Sequence, residues 1–185
     1  MITYGWFYRI LIAVVFLIFI VRMIRRKDGV AKIAAACLLM LYTIEAVGVF
    51  FFPIFYNVPI CGNFTSNVKL LPFHSMIGYF QNMSAETAVK QVLGNIVIFV
   101  PIGLLLPILS EKFRSPKNIL LFSLLLSVGV EAVQFLELLI THLPNRAVDI
   151  DDVILNFVGG SLGYLLFLAV RKICKPPLKN AHTES

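Results

Sequence analysis

Two strings in this sequence carry most of the side chains that could do chemistry. The first is Glu131-x-x-Gln134-x-x-Glu137. On a helix Glu131 and Gln134 sit about 60° apart and Glu137 about 60° further round, so the three form one polar stripe. The second is Arg146-x-x-Asp149-x-Asp151-Asp152-x-x-x-Asn156. Taking Asp149 as zero, Asp152, Asn156, Gly159, Gly160 and Gly163 fall within roughly 100° of arc, while Asp151 points away. A further amide, Asn95, shares a face with Gln91, Phe99 and Ile102. Glu131, Asp149 and Asp152 are therefore candidates for proton transfer. Asp149 and Asp152 are also thin candidates for holding Mg²⁺ or Ca²⁺ through oxygen. The Arg146 guanidinium suits a phosphate or carboxylate, and Asn95, Gln134 and Asn156 could bind a ligand beside it. No cofactor is implied: Ser-His and Cys-His pairings and a Gly-rich phosphate loop are all missing from the sequence.

The elements that must position these groups are written in the composition. Of 185 residues, 59% are hydrophobic and 14% charged, against about 45–50% and roughly 25% in an ordinary soluble domain. The apolar residues run in blocks of about 20, enough to cross a hydrocarbon core about 30 Å thick. These blocks are Trp6 to Met23, Ile33 to Phe55, Ala88 to Leu109, Asn118 to Ile140 and Asp152 to Val170. The expected fold is an all-α polytopic membrane bundle of about five transmembrane helices. Residues 1–174 form its single membrane domain, and residues 175–185 form a disordered tail.

Basic residues cluster at every second connection: Arg22 to Lys32, then Lys112 to Lys117, then Arg171 to Lys179. The positive-inside rule places the N-terminus outside and the C-terminus in the cytoplasm. The net charge of +6 thus reports topology, and neither a nucleic-acid binder nor a soluble enzyme fits. Cys37, Cys61 and Cys174 lack metal-ligand spacing and receive no redox or metal role. The loop from Tyr56 to Thr87 contains Pro59, Gly62, Pro72 and Gly78, and reads as irregular structure against the outer membrane surface.

At 1.5 Å per residue, Asn95, Gln134 and Asn156 each lie about 8 to 12 Å below the outer surface. Polar groups at that depth face a protein interior or a wet cavity. The spacing implies an outward-facing cavity with Arg146, Asp149 and Asp152 above the amides and Glu131 a little deeper. The competing reading is that these groups only hold helices together, as interhelical amides and a helix-start Arg–Asp pair do elsewhere. Glu45, nearer the midplane, is open to a packing role or a part in transport.

In order and spacing these pieces resemble the VanZ-like family of bacterial membrane proteins. The matching strings are Leu71-Pro72-Phe73, Gly94-Asn95-Ile96-Val97-Ile98-Phe99-Val100-Pro101-Ile102-Gly103, Glu131-x-x-Gln134, and Arg146-x-x-Asp149-x-Asp151-Asp152-x-x-x-Asn156-x-x-Gly159-Gly160-x-x-Gly163. They show no departure from the family pattern and sit in a core of about residues 33–170. The resemblance implies a multi-pass protein of the bacterial cell membrane, associated with low-level resistance to teicoplanin and related lipoglycopeptides and bringing no settled mechanism. The expected partners are membrane lipids, with a lipid-linked cell-wall precursor or the lipoglycopeptide itself as candidate ligands. An enzyme acting on a phosphate-bearing lipid and a small transporter or flippase using Glu45 and Glu131 remain the alternatives.

Overall fold

The computed structural model of the protein describes residues 6–51, 68–141 and 148–174. Five helices are long and apolar enough to span a membrane: α1 (Trp6–Arg25), α2 (Val30–Phe51), α4 (Ala85–Leu109), α5 (Pro116–Thr141) and α6 (Ile150–Cys174). The protein is an all-α, multi-pass membrane bundle, as its apolar blocks predict. Much of its surface is large apolar side chains such as Leu11, Leu41, Val97, Leu125 and Leu165, which a soluble monomer of this size would not leave in water.

The bundle is built around the pair α4 and α6, whose approach depends on glycine. A Cβ on Gly159 would collide with the backbone carbonyl of Ile96, one on Gly163 with that of Val100, and one on Gly103 with that of Gly160. Lipid supplies no hydrophobic drive between helices, so close backbone packing of this kind is a main source of association. The contact presses α4 and α6 together along the levels where Asn95 and Asn156 project. On another side of α6, Gly160 lies against Ser123 of α5. Helix α2 packs on α4 and α1 and meets α5 only sparsely. Helix α1 is outermost, burying only Met23.

Away from the site, a Glu111–Arg114 3₁₀ turn links α4 to α5, and the Tyr164 hydroxyl donates to the Arg114 carbonyl at 2.7 Å. Arg25, Lys32, Arg114 and Arg171 all belong to this basic end.

At the opposite end the connection before α4 is more ordered than its Pro and Gly residues suggest. Residues Val68–Lys69 form a strand, β1, parallel to β2 (Val148–Asp149), with Val68 opposite Val148 and Lys69 opposite Asp149. A nine-residue helix, α3 (His74–Asn82), follows and packs on α4 and α6. Ser84 then caps α4 by accepting the Thr87 N–H at 3.2 Å, with Glu86 in the first turn, the arrangement expected of a Ser at a helix start.

Candidate functional site

Between the ends of α2, α4, α5 and α6 at the α3 end of the bundle lies a cavity of about 230 Å³. Its lining includes Gln91, Gly94 and Asn95 from α4, Glu131 and Gln134 from α5, Asp152 and Asn156 from α6, and Val49 and Phe50 from α2. The three amides assigned to one level therefore do meet, and Glu131 and Asp152 meet with them.

Apart from Gln91, each polar side chain lining the cavity uses one atom to tie neighbouring elements together. The Asn95 amide donates to Asp152 Oδ1, joining α4 to α6. Asn156 Nδ2 donates to Ser127 Oγ at 3.0 Å, joining α6 to α5. Gln134 Nε2 donates to the Phe50 carbonyl at 3.2 Å, near the end of α2 where helix carbonyls lack intrahelical donors. Glu131 Oε2 accepts the Asp149 N–H at 3.0 Å. Each of these amide nitrogens keeps a second N–H, and the other polar atoms left over on these side chains are oxygens. One of them, Asn156 Oδ1, is buried with no partner among the described residues, which is costly unless something donates to it. With two carboxylates among its groups, the cavity presents more acceptors than donors, and it suits a ligand rich in hydroxyl or amine donors.

Asp149 does not line the cavity. It lies on β2, before α6 begins, so the helical angles that place it with Asp152 do not apply to it. Its Oδ1 accepts the Asp151 N–H at 3.0 Å and so caps α6, while Oδ2 is buried without a partner among the described residues. Asp149 and Asp152 turn to different neighbours, and no set of three or more His, Cys, Asp or Glu among the described residues is arranged to hold a metal ion. Arg146 and His142 lie outside the described residues, as does the 175–185 tail. Glu137, the third member of the polar stripe, is buried outside the cavity.

Asp151 points away from the cavity, as its helical angle indicates, but it does not point to solvent. It is fully buried, and its two carboxylate oxygens accept the N–H groups of Phe73 and Met76 at the start of α3. The carboxylate sits at the positive end of that helix. Phe73 holds a left-handed backbone, φ 66°, a conformation that disfavours side chains bearing a Cβ. Acidic groups therefore fix both neighbours of the site: Asp149 starts α6, and Asp151 holds α3 to it. Tyr79 of α3 is close enough to feel these acids. Its phenol is pushed up to about 12, chiefly by burial and then by the charges of Asp152 and Asp149. Lys69, opposite Asp149, is the nearby base that sequence reading passed over. Glu45 lies apart from all of these, on the α1 side of α2, with its carboxylate 3.9 Å from Arg9.

The sequence is 34% identical over 138 residues to Protein VanZ of Enterococcus faecium, a match covering 74% of each chain. No solved structure matches the chain. The VanZ/LLP1 family model matches residues 39–171, a range that takes in every cavity-lining side chain, the α3 cap and the α4–α6 glycines but not the outlying α1. The chain belongs to the VanZ/LLP1 family.

Proposed function

We propose that the protein is a membrane factor of the bacterial cell surface. It binds an amphiphile by its polar head in the cavity between α2, α4, α5 and α6, and in doing so lowers the access of teicoplanin and related lipoglycopeptides to cell-wall precursors. The observation that carries this reading is the acceptor-rich lining, with Glu131, Asp152 and four amides converging at one end of a membrane bundle. Both cell-wall precursors and lipoglycopeptides carry sugars, whose hydroxyl and amino groups are donors that can meet the oxygens of such a lining. The positive-inside rule turns this end of the bundle outward, toward those molecules. The resistance role comes from the family resemblance, and Arg146 is assigned to a phosphate or carboxylate of the same ligand.

Expression in a susceptible strain tests the reading. The intact chain is expected to raise the inhibitory concentration of teicoplanin, and Asp152→Ala and Arg146→Ala are expected to abolish the rise at equal membrane abundance. No rise with the intact chain refutes it.

A second reading is favoured by the two carboxylates sharing one cavity: an enzyme in which Glu131 and Asp152 act as acid and base on the bound head. Lipid-linked precursor that changes mass on incubation with purified protein would favour that reading over binding alone. The transporter reading has less support, since Glu45 lines no part of the cavity.

A further inference from the structure

A second cavity, about 460 Å³ and almost wholly apolar, lies directly below the polar one, between α2 and α5 with α4 as its floor. Leu39 and Ala46 of α2, Ile102 of α4, and Gly129 and Val133 of α5 are among its walls. Phe50 lines both cavities, so the two adjoin at that residue. The bond from Gln134 to the Phe50 carbonyl draws α2 and α5 together at the polar end. Below it the two helices touch sparsely and leave a slot.

The slot runs along α2 from Leu39 to Phe51, about 18 Å at 1.5 Å per residue. That is a little over half of a hydrocarbon core about 30 Å thick, the depth to which one leaflet's acyl chains reach. The Thr43 hydroxyl on this wall already donates to the Leu39 carbonyl at 2.7 Å, so the slot offers water few partners. In a bilayer hydrocarbon fills such a space, and only a chain whose own head sits in the polar cavity would be held there in preference to bulk lipid, because lipid tails elsewhere are equally apolar.

We propose that the ligand of the polar cavity is a chain-bearing lipid whose acyl chain lies in the α2–α5 slot while its hydroxyl- or amine-bearing head meets Glu131, Asp152 and Asn156. This rests on the reading of the polar cavity as a head-binding site and adds the lipid class and its pose.

Two glycines allow a clean test, because a Cβ at Gly94 in the head cavity or at Gly129 in the slot meets nothing within 4 Å. The full-length protein is placed in phosphatidylcholine nanodiscs with a trace of glucosaminyl diacylglycerol carrying a diazirine near the end of one chain. After irradiation, mass spectrometry maps the adducts. Adducts are expected on residues 39–51 and 122–133 in excess of those from phosphatidylcholine bearing the same chain. Gly129→Phe is expected to lower their yield at least about five-fold, the lower end of what overfilling a packed space costs.

Chain-free methyl glucosaminide, in a separate measurement, is expected to slow carbodiimide modification of Glu131 and Asp152 in both the parent and Gly129→Phe, and to have no effect in Gly94→Phe. Protection by the methyl glycoside without slot adducts overturns the chain assignment and leaves the head site standing. Loss of both overturns the head site as well. Adducts bridging to a second copy of the chain overturn the assignment too, by making the slot an interface between protomers.

Discussion

Replacing Asp151 with Ala removes the acceptor of two backbone N–H groups at the start of α3 while touching no cavity-lining atom. Hydrogen bonds to a charged group contribute about 1.5–3 kcal/mol each, so two of them set a loss of about 3–6 kcal/mol. The left-handed Phe73, whose conformation costs roughly 1–2 kcal/mol, would relax once the carboxylate no longer holds its N–H. A nine-residue helix is marginal by itself in water. The loss should therefore appear as detachment of α3 before the bundle itself melts.

Ser75 reports that event, being buried in α3. In a background lacking Cys37, Cys61 and Cys174, a Ser75→Cys thiol should react with a membrane-impermeant maleimide on the order of 100-fold faster when Asp151 is Ala, following from about 3 kcal/mol at a factor of ten per 1.4 kcal/mol. Asp151→Asn keeps one acceptor oxygen and should fall between. A labelling rate unchanged within a factor of about three in Asp151→Ala would refute the role given to this carboxylate.

Two other outcomes follow from the same geometry. Gly103→Ala and Gly159→Ala each place a Cβ into the backbone of the facing helix. Overpacking of that kind costs about 1–3 kcal/mol or more, and the melting temperature in detergent should fall by roughly 5–10 °C at about 2–4 °C per kcal/mol for a chain of this size. Gly94→Ala meets open space and should be neutral or slightly stabilising, since Ala exceeds Gly in helix propensity by about 1 kcal/mol; equal losses at Gly94 and Gly103 would contradict the close α4–α6 approach. The Tyr79 phenol should titrate near 12 rather than 10, seen as the difference in ultraviolet absorbance between the parent and Tyr79→Phe. Because the raised value favours the protonated phenol in the folded state, its contribution to stability is whole below pH 10 and is lost as pH rises toward 12.

Much of this arrangement is legible in the sequence because it depends on two local periodicities. Uninterrupted apolar runs locate the five spans, and 100° arithmetic along α6 groups Asp152 and Asn156 with the glycines that seat α4. The arithmetic fails at Asp149 for a definite reason: the residue is in an extended segment, so its side chain follows strand geometry and turns back to cap α6. Helix α3 is hidden for another. It is short, it begins at a left-handed phenylalanine after Leu71-Pro72, and the carboxylate that starts it lies 75 residues away from Met76. The β1–β2 pair is only two residues long on each side, too brief for any alternation to show. These are tertiary contacts, and no window of the chain contains both partners.

The two readings of the buried polar residues, as mortar between helices or as the proposed binding site, do not compete for the same atoms. Asn95, Gln134 and Asn156 each spend their amide nitrogen on a neighbouring element, and Glu131 and Asp152 each spend one oxygen in the same way. The interhelical bonds orient the side chains, and by engaging one N–H of each of these three amides they shift the balance of what is left toward oxygens. A lining in which oxygens, two carboxylates included, outnumber free N–H groups disfavours a bare phosphate and favours hydroxyl or ammonium donors. The polar character of the cavity is thus set in part by the bonds that hold the bundle, and a substitution such as Asn156→Asp would disturb both at once: it would exchange the donor to Ser127 for an acceptor and add an acidic group to a space already shared by Glu131 and Asp152. Conversely, changes confined to the open glycines Gly94 and Gly129 can fill the cavity or the slot while leaving every one of these bonds in place, which is why the proposed ligand is better sought through them than through the polar residues themselves.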